Sequence, residues 1–299
     1  MEVIVLKNKA ILPVLFAALG NILWGFSFLL TKIGLSASPD PNVMLAHRFL
    51  IATLVMVVQL LCGNGKLSFK GKNWKPIALM LVMQVLYYFL ETYAVLYTNA
   101  TISGLVLAVV PVVTIGTGAL FLREYPTPRQ ALFCLMPVAG VILMTVSGKE
   151  LGVMTPIGIV LLLLTLLTSA FYKTVNRKAA EEFTSFERSF LVLANAALVF
   201  SLVGLGAVDW NIKTFVSPLL HWNYLLSVLS LSLFCSVAAQ LLTNYASGKM
   251  SVFKMSSFGA LSTLCSVAAG LIFGEPYNNM LLLGAVLILV GIRQVTKPK

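Results

Sequence analysis

A glutamate inside an apolar run is the first place in this 299-residue sequence where chemistry could happen. Glu91 closes the stretch Gln84-Val85-Leu86-Tyr87-Tyr88-Phe89-Leu90-Glu91, within a long, mostly apolar run that begins near Pro76. A run of that length crosses a bilayer as a helix. On insertion scales an acidic residue at the centre of such a helix costs about 2.5 to 3.5 kcal/mol. At helical spacing Gln84, Tyr88, Glu91, Val95 and Thr98 share one stripe, with Tyr87 beside it. That stripe is expected to face a bundle interior or a water-filled cavity and to form a wall that binds substrate or a proton. The alternative is a glutamate held by a neighbouring helix for structural reasons alone.

Other polar residues recur at helical spacing in other apolar runs. Asn21 and Trp24 lie in the first run, where Lys32 either binds an anionic group or snorkels to the headgroups. Ser169 and Tyr172 close a polar cluster in the sixth, and Ser232, Ser236, Gln240 and Asn244 form a stripe in the eighth. Gln84, Tyr87, Tyr88, Glu91, Trp24, Asn21, Tyr172, Ser169, Gln240 and Ser236 are therefore the candidate substrate-binding residues. Glu91 and His47 are the candidates for carrying a proton, although a histidine near a helix end is often merely interfacial. Arg48 is expected at interface depth, anchoring its helix or capping a cavity entrance.

These residues need elements to position them, and composition says which. The chain is 59% hydrophobic and 10% charged, with a mean hydropathy of +0.95. A soluble domain carries about 25% charged residues, so this is an integral membrane protein. Ten apolar runs fit, at about residues 11–35, 43–62, 76–97, 102–122, 131–146, 155–172, 190–208, 224–246, 250–273 and 280–295. The first is too long for a signal peptide and reads as an uncleaved span. Cys62, Cys134, Cys235 and Cys265 are scattered, without a CxxC pair or a neighbouring histidine, so neither a disulfide nor a metal site is expected. No phosphate-cradling GxxxxGK[ST] motif occurs, and no cofactor is expected.

The formal charge of +11 follows membrane topology rather than nucleic acid. With the amino terminus inside, sixteen of the 21 lysines and arginines fall on the inner side; Lys149 and Lys213 lie outside, and Lys32, Arg48 and Lys254 lie in helices. Both termini are then cytoplasmic.

The two halves match. Tyr97-Thr98-Asn99-Ala100 parallels Tyr245-Ala246-Ser247-Gly248, and Phe121-Leu122-Arg123-Glu124 parallels Ile272-Phe273-Gly274-Glu275. Five spans is an odd number, so the second copy must enter from the opposite side. Such inverted repeats place a substrate site near the midplane between the halves. The expected fold is an all-α membrane protein of ten transmembrane helices as two inverted five-helix repeats, residues 1–148 and 149–299, with a cavity lined by spans 1, 3, 4, 6, 8 and 9. Sliding span 8 over span 3 sets Ala239 opposite Glu91, an asymmetry that could read a substrate with one charged end.

Trp24-Gly25 followed by Lys32, Arg48 early in span 2, and the paired stretches above resemble the drug/metabolite transporter superfamily, specifically its EamA-type ten-helix members. The resemblance covers the whole chain. It implies cytoplasmic termini, a central cavity and movement of small metabolites or amino acids. The expectation is a secondary transporter in the cell membrane working by alternating access on a small solute, as an exporter, with or without proton coupling. Its partners are a small-molecule substrate and the bilayer, not nucleic acid, and a homodimer is compatible. The alternative is a membrane-embedded enzyme acting on a lipid or lipid-linked substrate. That reading lacks a catalytic constellation: the only histidines are His47 and His221, and no HExxH or GxSxG pattern appears.

Overall fold

The computed structural model describes residues 2–35, 40–97, 109–146, 155–272 and 279–297. Among them every regular element is helical. In chain order they are α1 (Glu2–Leu35), α2 (Pro41–Leu61), α3 (Trp74–Tyr97), α4 (Val110–Leu122), α5 (Pro128–Val146), α6 (Pro156–Ala179), α7 (Ser185–Ala207), α8 (Trp222–Ser247), α9a (Val252–Ser257), α9b (Ala260–Ile272) and α10 (Asn279–Thr296). A short helix, Ile212–Val216, and a 3-10 turn, Ser217–Leu220, occupy the segment between α7 and α8. α2, α6, α7, α8 and α10 are long and apolar enough to cross a bilayer, and shorter apolar helices accompany them at Ile11–Ser27, Val110–Leu122 and Pro128–Leu143. Ser103, Gly104, Asn99 and Glu275 lie outside the described residues.

Helix ends are set by local chemistry. Asp40 caps α2 by accepting from the Asn42 and Val43 amides at 2.7 and 3.3 Å. Thr155 caps α6 through the Gly158 amide at 3.1 Å. Thr184 and Glu187 form a reciprocal capping box at the start of α7. The charged stretch 173–188, expected as loop, is mostly helix: α6 runs on to Ala179 and α7 starts at Ser185. α4 ends with Arg123 in the left-handed region, φ 55°, which lets the Glu124 amide reach back to the Gly118 carbonyl at 3.1 Å.

Two irregularities could not be read from periodicity. Leu231–Ala238, in the middle of α8, is π-helical. The ninth span breaks at Phe258–Gly259 into α9a and α9b.

The main pairings are α2 with α7, α3 with α6 and α5 with α10, and α1 lies across α8 and α9b. Glycines make the closest approaches. A Cβ on Gly140 of α5 would stand 2.6 Å from the Gly284 carbonyl oxygen, and one on Gly291 of α10 would stand 2.5 Å from Pro137 Cδ. α5 and α10, the plainest spans in sequence, thus lock against each other. Gly20 and Gly25 do the same for α1, against Thr243 of α8 and against Ser262 and Cys265 of α9b. The four cysteines are free thiols.

Candidate functional site

The site begins on α3. The Tyr87 hydroxyl donates to Glu91 Oε1 at 2.6 Å, one helical turn apart. Tyr88 packs on Tyr87, and on Phe49 of α2 and Phe200 of α7, with ring centroids 5.5, 5.3 and 5.9 Å away. Gln84, one turn before Tyr88, is buried, and its Oε1 has no hydrogen-bond partner. A buried amide oxygen left unpaired costs about 1 to 3 kcal/mol.

From α2 comes Arg48, which is only 9% exposed. Its Nε donates to Ser236 Oγ at 2.8 Å and its Nη2 to the Cys235 carbonyl at 3.3 Å. Both acceptors belong to the π-helical turn of α8. Ser232, four residues before Ser236, donates to the Arg48 carbonyl at 2.8 Å and to the Val228 carbonyl at 2.7 Å. The widened turn of α8 therefore grips Arg48 by its backbone and by its guanidinium. π turns of this kind are frequent at functional sites. Among the described residues no ion pair joins Arg48 to Glu91, yet they are near enough for the guanidinium charge to act on the carboxyl. α2 thereby joins the helices expected to line the site.

Below this pair, Gln240 of α8 donates from Nε2 to the Tyr172 hydroxyl of α6 at 2.9 Å, and Tyr172 lies within electrostatic reach of Tyr88. Ser169 and Ser236 are buried. On α1, Gly20 and the Leu23 carbonyl touch α8, the latter accepting from Cys235 Sγ at 3.1 Å, and Gly25 touches α9b. Asn21 and Trp24 fall on the arc between those contacts, away from the exposed Leu15, Leu19 and Phe26. Asn21 is buried and bonds locally, from Nδ2 to the Ala17 carbonyl at 2.7 Å. The side chain of Lys32 lies outside the described residues.

His47 points elsewhere. It is 3% exposed; its Nδ1 is 2.8 Å from the Tyr224 hydroxyl, its ring packs edge-on to Phe215, and its Nε2 is buried without a partner. It closes α2 onto the start of α8.

Toward the end of the bundle that carries the 62–73 loop, polar groups become a set of ties. Glu124 accepts from Arg177 Nε at 3.0 Å and from the Val252 amide at 2.7 Å, joining α4, α6 and α9a. Glu187, 1% exposed, accepts from Lys72 Nζ at 2.6 Å and from the Ser68 amide at 2.7 Å. Arg188, 2% exposed, donates to the Asn176 carbonyl and Oδ1, to Ser247 Oγ and to the Asn244 carbonyl. Two of those acceptors are carbonyls near the C-terminal ends of α6 and α8, whose partial negative charge offsets a cation that has no carboxylate partner among the described residues. Asn244 also accepts from Asn176 and donates to Ser189, at 2.8 and 2.9 Å. Nothing in the spacing of Arg188 within a charged stretch separates it from a solvated arginine.

The model of the EamA-like transporter family matches residues 11–146 and again residues 156–296. The chain is 32% identical to an uncharacterized transporter, YcxC, of Bacillus subtilis (strain 168), over 92% of this chain and 90% of that one. It is 27% identical to a second, YvbV, of the same strain, over 93% and 90%. A crystal structure of a protein with 16% identity superposes with a TM-score of 0.78, over 94% of this chain and 95% of that one, which shows the fold.

Proposed function

Since the chain belongs to the EamA-like transporter family, and is thus a multi-pass membrane transporter, we propose that it is a secondary transporter of a small metabolite or amino acid working by alternating access around Glu91. The observation that carries this reading is the convergence of Glu91, Arg48, Tyr172 and Gln240, drawn from both family repeats, on one part-buried polar region among apolar helices. Intramembrane ionisable groups mark substrate and ion pathways, because their burial is costly without a function. Glu91 receives the cationic group of a substrate, or a proton that substrate displaces; Tyr87 orients its carboxyl. Gln84 Oε1 offers a further acceptor. Tyr87, Tyr88, Trp24 and Tyr172 supply aromatic walls suited to amphipathic or cationic solutes. The ties at the basic end hold that side closed, and solute then exchanges from the side of His47 and Tyr224. The division into repeats at 1–148 and 149–299, cytoplasmic termini in the cell membrane and outward movement complete the reading; the charge distribution supports the orientation.

The test is counterflow in proteoliposomes preloaded with a panel of amino acids and amines. Trans-stimulated uptake of at least one radiolabelled panel member is expected, with Glu91→Gln reducing it at least tenfold while eluting as a single species. Uptake that no internal solute accelerates would sink the carrier reading. Equal uptake by the variant would remove Glu91 from the site. A reporter domain fused after Lys299 is expected to be active only when the carboxyl terminus faces the cytoplasm.

A further inference from the structure

We infer that Arg48, as presented by the π-helical turn of α8, is an anion-reading residue of the site, and that the transported solute carries a carboxylate that docks on it. This inference rests on the transporter reading above. A guanidinium has five N–H donors in a fixed fork. The structure commits Nε to Ser236 Oγ and one N–H of Nη2 to the Cys235 carbonyl. Both acceptors are neutral, so neither hydrogen bond neutralises the positive charge it positions. Arg188 makes the comparison: buried more deeply still, it has an unpartnered Nε, but its Nη1 and Nη2 donate to four acceptors, two of them carbonyls near helix C-terminal ends. Arg48 stands near the middle of α8 rather than at a helix end, and no ion pair to it occurs among the described residues. A charge so placed in a low-dielectric bundle favours an anionic occupant, and the planar fork matches a carboxylate.

The grip of α8 also says why the residue is arginine. Ser232 holds the Arg48 backbone and Ser236 holds its Nε, one turn apart along the same helix. A lysine has no second nitrogen with which to bridge Ser236 and the Cys235 carbonyl while facing a ligand. Glu91 is not paired with Arg48, so a solute bearing an ammonium as well as a carboxylate can span the two. Ser236 is accordingly a positioning residue, acting through Arg48.

The experiment pairs each of a panel of amino acids and monocarboxylates with its carboxamide, which differs only in the anionic group. Each is scored by inhibition of counterflow and by thermal stabilisation of the purified full chain. In the wild type at least one carboxylate is expected to bind about ten- to a hundredfold tighter than its amide, the range for a hydrogen-bonded charge. Arg48→Gln is expected to erase that ratio, read for each carboxylate against its own amide in the same variant. Ser236→Ala, which keeps the arginine, is expected to shrink the ratio; it also serves if the Arg48 variant does not fold. Carboxylates and amides that bind alike in the wild type, or a ratio that survives in both variants, overturn the inference while counterflow itself stands. Loss of counterflow for every solute overturns the transporter reading and this inference with it.

Discussion

The hydrogen bond from Tyr87 to Glu91 spans one helical turn of α3, so removing the Tyr87 hydroxyl tests how the carboxyl is oriented from within its own helix. Tyr87→Phe keeps the ring packed on Tyr88 and removes only the donor. A hydrogen bond to a charged group contributes about 1.5 to 3 kcal/mol, so the half-saturating solute concentration is expected to rise at least severalfold, with the maximal counterflow rate little changed. A fall in rate at unchanged affinity would instead mean that Tyr87 takes part in the conformational step. Gln84 and Glu91 announce themselves in the sequence because a polar residue amid apolar ones is costly in a bilayer. Arg48 does not, because an arginine eight residues into a span is within snorkelling reach of the headgroups and periodicity cannot tell which way it turns.

At the scale of the helix, close packing rests on positions where no side chain fits. Gly140→Ala places a methyl 2.6 Å from a backbone oxygen of α10 and is expected to destabilise by about 1 to 3 kcal/mol, read as a lower melting temperature in detergent. Gly116→Ala in α4 meets nothing within 4 Å and is expected to be neutral or to stabilise by up to about 1 kcal/mol through helix propensity. If both alanines cost the same, the α5–α10 contact is not what holds these helices. Spans 5 and 10 look featureless in sequence because their interaction is steric. The polar stripe of α8 is legible at its spacing of three or four residues, and Ser232, Ser236, Gln240 and Asn244 do turn toward α2, α6 and α7. The π-helical turn is not legible: one extra residue per turn leaves the same side chains on nearly the same face.

Across the whole molecule, one end is tied by charged groups that link the two family repeats. Glu124, from the first, holds Arg177 and the α9a amide from the second. Glu124→Gln removes the charge and keeps the shape. It is expected to increase severalfold the rate at which a cysteine placed at Thr174, next to Thr117 in the α4–α6 contact, reacts with a water-soluble maleimide in a Cys62→Ser background. An unchanged rate would show that Glu124 does not hold this end closed. Lys72 and Glu187 supply a second tie between the repeats, so the effect of one substitution is expected to be partial.

The sequence by itself determined that this is a membrane protein built of two like halves, and it flagged one carboxylate inside an apolar span. Those properties follow from counting: span length, sparse charge, recurring stretches, and the cost of an acid in hydrocarbon. Only the tertiary structure decided what Arg48, His47 and Arg188 do. Each bond that answers the question joins residues far apart in the chain: Arg48 to Ser236 across 188 positions, His47 to Tyr224 across 177, Arg188 to Ser247 across 59. A charge in a membrane takes its role from the acceptors it meets, and those are brought to it by other helices.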